Sequence, residues 1–313
     1  MADYLHSHRE FGDLIRIVAA EKGIDPALVE KDYWIMHCLY GLQQLGLTFQ
    51  LKGGTSLSKG FQAINRFSED LDVRIEPPAD RNVKTGRNQR KPTQVQSRKD
   101  FYDWLATTIR IDGIEKVERD TAFDNRDFFS AGIRLFYKST TKQLEGLREG
   151  VLLEVGFDDV TPNTAKDISS WAYDYAAARV DIIDNRAKGV ACYDLRYTFV
   201  EKLQTVSTKF RLQQQSGESP VAFMRHYYDV YALLQRSDVQ AFIGTEPYRT
   251  HKAKRFRGGD NPNIAQNEGF ILSDPETRKT YKEAFAASGA LYYGAKPSFD
   301  QILGEIKEWI DQL

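Results

Sequence analysis

The chain has 313 residues, and its 43 Lys and Arg nearly balance its 44 Asp and Glu, for a net charge of −1. That balance excludes a globally basic nucleic-acid binder, so any nucleic acid must be met by a local patch, and the length accommodates two domains with cores of their own. Cys38 and Cys192 lie in unlike contexts and form no CxxC, which argues against a disulfide framework or a cysteine metal site; with no long apolar run and no signal-peptide start, the composition predicts a cytoplasmic protein with no membrane partner.

Apolar residues at helical spacing predict helices over Phe11–Glu21 and Ala27–Leu45, the second opened by Pro26. Phe49–Lys52 and Leu71–Ile75 read as strands, with a helical segment over Leu57–Ile64 between them. Pro77–Lys99 almost lacks apolar residues and reads as a mobile basic loop, followed by a helix over Phe101–Ile109. Ile114–Arg119, Ala131–Tyr137 and Val151–Phe157 alternate as strands. Arg179–Ile183 and Cys192–Asp194 read as strand or connector. Helices are then expected over Thr198–Leu212 and Val221–Leu234, separated by a polar break over Gln213–Pro220. Ser237–Phe242 is a candidate third helix, Tyr248–Asn261 a basic, glycine-punctuated stretch, and Pro275–Phe285 and Phe299–Leu313 close the chain as helices. The plan is α+β: a mixed-sheet domain over residues 1–195, then a helical domain over 196–313.

Leu51-Lys-Gly-Gly-Thr-Ser-Leu57 is followed about a dozen residues later by Phe67-Ser-Glu-Asp-Leu-Asp-Val73. Asp70 and Asp72 alternate with Leu71 and Val73, so both carboxylates share one strand face. Two carboxylates so placed repel each other unless a cation neutralises them, and hard, oxygen-seeking Mg²⁺ suits them. Gly53, Gly54, Thr55 and Ser56 offer backbone N–H groups and hydroxyls at a helix start, which is what a polyphosphate needs. Each half alone is a weak signal, and the plain alternative is a turn beside solvated aspartates.

Joined, they resemble the signature of the DNA polymerase β-like nucleotidyltransferase superfamily. Leu51-Lys-Gly-Gly-Thr-Ser-Leu-Ser-Lys59 with Arg66-Phe-Ser-Glu-Asp-Leu-Asp72 resembles the AbiEii/AbiGii nucleotidyltransferase toxin family, as does the Glu30-Lys31-Asp32-Tyr33-Trp34 run. The likeness covers most of the chain and implies a nucleotidyltransferase fold completed by a helical bundle. It also implies transfer of NMP from an NTP to an acceptor hydroxyl with release of pyrophosphate. Two Mg²⁺ (Mn²⁺ as substitute) would sit on Asp70 and Asp72, within a toxin–antitoxin or phage-defence system. The implied acceptor is RNA, tRNA ends above all, and the implied partner a separate winged-helix antitoxin. Transfer to a protein or small-molecule hydroxyl, or an idle nucleotide- or RNA-binding module, are the alternatives.

Glu154 is the candidate third metal ligand, because a lone acid in the apolar Leu152–Phe157 run is costly to bury and a shared cation would remove that cost. The alternatives are an edge-strand Glu facing water, or Asp158 or Asp159 in its place. In the helical half the resemblance assigns Lys202 to the nucleotide phosphates and Asp229, after Arg225, to holding the nucleotide or a basic partner. By spacing alone Lys202 and Lys209 share a helix face, and Arg225 and Asp229 are placed to pair; as bare residues these are ordinary surface charges. Lys59 is a candidate phosphate contact, and His226 a general base or, more ordinarily, a packed histidine. Lys84, Arg87, Arg90, Lys91, Arg98 and Lys99 form one candidate RNA patch. His251, Lys252, Lys254, Arg255 and Arg257, with Phe256 interleaved, form another.

Overall fold

The computed structural model describes residues 2–256, 258–288 and 292–313. It is an α+β fold with a seven-stranded mixed sheet and twelve helices among the described residues. The chain divides into two compact units, one built from residues 1–61 and 67–193, the other from Gln62–Arg66 together with Asp194–Leu313.

The first unit opens with α1 (Phe11–Lys22) and α2 (Pro26–Gln44), whose N-cap Asp25 accepts from Ala27 N–H. Strand β1 (Phe49–Lys52) leads into a single helical turn, α3 (Gly53–Thr55), and a π-turn over Ser56–Gly60. The helix expected over Leu57–Ile64 is therefore only this tight turn. Then come β2 (Asp70–Ile75), α4 (Pro92–Thr108), β3 (Ile114–Asp120), β4 (Ser130–Tyr137) and β5 (Val151–Gly156). The unit closes with β6 (Asn163–Ile168), α5 (Trp171–Ala177) and β7 (Ala187–Tyr193). The sheet order is β3-β4-β5-β2-β1-β7-β6. β2 runs parallel to β5 and antiparallel to β1, and β1 runs parallel to β7. Leu71, Val73, Leu153 and Val155 lie buried on one face, and α2 packs on β2, β5 and β7.

One expectation needs correction here. The loop predicted to reach Lys99 ends at Lys91, because Pro92 in the first turn and the Gln94 side chain, which accepts from Lys91 N–H at 3.0 Å, start α4. Arg98 is thus a helix residue with 0% exposure, donating to the carbonyls of Asp127, Lys84 and Gln89. Arg179–Ile183, read as strand or connector, is a connector in which Ile182 makes a single bridge to Asp3. β6, whose residues are mostly exposed, and α5, capped by Ser170, carry too little apolar alternation to be anticipated.

The second unit centres on α6 (Leu195–Ser216), capped by Asp194 and continuing through the expected break as far as Ser216. It packs on α7 (Met224–Leu234), with α8 (Ser237–Gln240), α9 (Glu246–Arg255), α10 (Glu268–Ile271), α11 (Pro275–Ala287) and α12 (Phe299–Trp309) around it. The stretch read as glycine-punctuated is helical up to Arg255, started by the Thr245 cap and Pro247.

Candidate active site

Register places one row of side chains across the sheet, on the face opposite α2. Lys52 of β1 pairs with Asp72 of β2, Asp72 with Glu154 of β5, and Glu154 with Gly132 of β4. Asp70 lies two residues before Asp72 on the same face, where β2 alternates half-buried and buried positions. Gly132 leaves the row open beside Glu154, and a Cβ there would fall 2.6 Å from the Asp120 carbonyl. Asp70, Asp72 and Glu154 are therefore brought together. Asp158 is not: it lies beyond β5 in an exposed ion pair with Arg87 at 3.1 Å.

The electrostatics follow from this crowding. Burial first, and then the negative charges of Asp72 and Asp70, push the Glu154 carboxyl well above the ordinary carboxylate range. Lys52 offsets part of that. The carboxyls stand side by side without closing on one point, and no group of three or more His, Cys, Asp or Glu is set to hold a metal ion among the described residues.

The glycine turn fits against these acids. Gly53 has φ 70°, and a Cβ there would fall 2.9 Å from Asp72 Cγ and closer still to Oδ2, so only glycine suits the position. Gly54 is buried. Thr55, with 1% exposure, donates its hydroxyl to the Asp70 carbonyl at 2.6 Å, tying the turn to the acidic strand. Ser56 is fully buried. Lys59 makes a 2.5 Å ion pair with Asp32, which also accepts from Trp171 N–H at 2.8 Å, and the ammonium sits 4.1 Å from the Trp171 ring centre. Burial pushes the Asp32 carboxyl up and the Lys59 ammonium down, and their mutual contact works against both shifts.

In the helical unit Asp229, with 0% exposure, accepts from Arg66 Nε and Nη2 at 2.6 and 2.7 Å and from Lys202 Nζ at 2.8 Å. Burial would raise its pKa, but the Arg66 guanidinium and Lys202 ammonium hold it well below the usual range. The partner expected for Asp229 was Arg225, four residues earlier; the structure gives it Arg66 instead, from a segment far away in sequence. His226 lies 3.3 Å from Lys202, and burial together with the Lys202 charge keeps its imidazole neutral. Lys209 is exposed while Lys202 is buried, so the two do not share an environment.

The basic segments are largely engaged. Arg90 pairs with Asp127, Lys99 with Asp103 at 3.0 Å, and Lys84 donates to Asn82. On α9, His251 and Arg255 each lie 3.6 Å from Glu201, and Lys252 donates to the Leu313 carbonyl. Lys254 is exposed, Phe256 is buried, and Arg257 lies outside the described residues.

Sequence reasoning missed Arg66 and the three consecutive buried charges of α2, Glu30, Lys31 and Asp32. Glu30 accepts from Ser139, Thr140 and Thr141, and Lys31 donates to the carbonyls of Arg148 and Gly150. Three charges inside an apolar helical run were the available signal, since buried charges need partners.

A family model described as nucleotidyl transferase AbiEii toxin, type IV toxin–antitoxin system, matches residues 35–305. No curated protein matches the chain. Among the described residues no helix is long and apolar enough to cross a membrane.

Proposed function

The chain belongs to the AbiEii family of nucleotidyltransferase toxins of type IV toxin–antitoxin systems, and from that premise we propose that it transfers NMP from an NTP to an RNA hydroxyl, with tRNA the leading acceptor. The β1–turn–β2 unit is read as the nucleotidyltransferase core. The observation that carries the proposal is the pairing of Asp72 with Glu154, with Asp70 on the same face and the Gly53 turn against Asp72.

Asp70, Asp72 and Glu154 form a hard-oxygen donor set matched to Mg²⁺. Register puts the three side chains on one face, and burial first, then the charge of Asp72 and Asp70, pushes Glu154 up, the charge part being what a dication would offset. When bound, Mg²⁺ supplies positive charge that draws phosphate oxygens to this face and offsets charge on the attacking and leaving oxygens. Backbone amides of the Gly53–Ser56 turn receive the phosphate chain, with Thr55 fixing the turn relative to Asp70. The acceptor oxygen would bond to the α-phosphorus as the bond to the pyrophosphate oxygen breaks, with Glu154 the residue placed to take the hydroxyl proton. Lys202, oriented by Asp229, is the helical unit's cation assigned to phosphate. A toxin of this family implies a separate antitoxin partner and a role in phage defence.

Incubation with α-phosphate-labelled NTPs, Mg²⁺ and total RNA tests the reading. Label should appear in RNA. Label in protein alone would move the acceptor to a protein hydroxyl, and no label in RNA, protein or small molecules would leave an idle binding module.

A further inference from the structure

Arg148, in the turn before β5, belongs to none of the motifs above. Its backbone is fixed from several sides. Its N–H donates to Glu69 Oε2 at 3.1 Å, and its carbonyl accepts from Lys31 Nζ at 2.7 Å. The same ammonium reaches the Gly150 carbonyl. Gly150 has φ 65°, and a Cβ there would fall 2.6 Å from the Leu135 carbonyl, so this turn accepts only glycine at that point. Lys31, 1% exposed, is thus a buried cation whose hydrogen bonds go to a surface turn.

The Arg148 side chain contrasts with its backbone. It is 50% exposed, stacks over the Phe123 ring at 5.2 Å, and has Asp70 Oδ2 at 3.9 Å, the outer limit of an ion pair. Arg134, on β4, is instead bound to Asp120 and to the Glu149 carbonyl. A guanidinium with a rigid base and a loosely held tip, beside the acidic face, is suited to a planar two-oxygen partner.

We propose that Arg148 is a phosphate-binding residue of the acidic face, taking the phosphate chain of the nucleoside triphosphate, and that Lys31 is a positioning residue that sets it there. In the resting chain the guanidinium neighbours Asp70; with nucleotide present it exchanges that long contact for bidentate hydrogen bonds to phosphate oxygens. This rests on the transferase reading, because it requires an NTP on the face carrying Asp70, Asp72 and Glu154.

The test is equilibrium binding of each of the four NTPs with Mg²⁺, without acceptor, followed by steady-state transfer. For the NTP that wild type binds, Arg148→Ala should raise Kd and KM about tenfold or more while kcat at saturation changes less, and Arg148→Lys should recover part of the loss. Lys31→Met, which retains Arg148, should raise KM in the same direction; since it disturbs a buried site, Arg148→Ala carries the decision, with circular dichroism confirming that its fold is kept. Unchanged NTP affinity in Arg148→Ala, with wild type binding normally, overturns this inference and leaves the transferase reading intact. A variant that loses RNA affinity alone also overturns it. Absence of NTP binding by wild type would overturn both.

Discussion

Asp72 and Glu154 occupy paired positions on the parallel strands β2 and β5, on the sheet face opposite α2. Neither strand segment encodes this alone; the parallel register does. The consequence is a carboxyl that burial first, and then its neighbours' charge, pushes above the ordinary carboxylate range, beside two acids on the same face.

Glu154→Gln keeps the shape and removes the charge. We expect transfer to fall at least about a hundredfold, with thermal stability unchanged or raised because a carboxyl whose ionised form is disfavoured by burial and by two acidic neighbours is gone. Asp158→Asn breaks only the exposed Arg87 pair and should cost no more than about 1 kcal/mol. Parallel activity and melting measurements check both; a larger activity loss at Asp158 would move the third acid there.

Gly53→Ala should impair transfer more than Gly54→Ala. Position 53 combines a left-handed φ of 70° with the Asp72 carboxyl where a Cβ would go. The alanine therefore displaces Asp72 as well as straining the turn. Equal activity in wild type and Gly53→Ala would show that Asp72 need not hold its present place.

Asp229→Ala leaves the Arg66 guanidinium and the Lys202 ammonium buried without their counter-ion, and should destabilise by about 3–5 kcal/mol. Lys202→Ala keeps the Arg66–Asp229 pair and should cost less stability than Asp229→Ala while raising the KM for NTP. Urea unfolding of the two variants separates these outcomes. Equal stability loss would mean that the Arg66–Asp229 pair contributes nothing once Lys202 is gone.

Stability should also respond to acid through His37. Burial first, and then the His6 charge, pushes His37 down to about 4 from an ordinary 6.5. Its Nε2 donates to the Asp112 carbonyl at 3.0 Å, while Nδ1 accepts from Asn185 at 3.0 Å, so the native ring is neutral. Between those pKa values the unfolded chain binds the extra proton. Stability from this group is full above about 6.5 and falls by about 1.4 kcal/mol per pH unit down to about 4. His37→Gln should flatten the unfolding free energy in that window; an unchanged slope would assign the acid sensitivity elsewhere.

The two site strands, the Asp70–Asp72 face and the helical character of the second half were legible because they follow from period-two and period-3.6 patterns. What was not legible came from long-range pairing. Lys59 reads as a phosphate contact until Asp32 is seen beside it, and Asp229 reads as the partner of Arg225 until Gln62–Arg66 is found in the helical unit. Arg98 looked like a loop charge because the start signal at Pro92 was outweighed by polar composition. For Lys59 and Asp229 the miss is a charge whose partner lies far away in sequence.

The most direct test of the account is transfer of label from α-phosphate-labelled NTPs, with Mg²⁺ and total RNA, by wild type and by the Asp70→Ala/Asp72→Ala double variant. The account predicts labelled RNA with wild type, at least about a hundredfold less with the double variant, and a double variant that melts no lower than wild type, because the removed carboxylates repel each other. Labelling by the double variant at the wild-type rate would contradict it.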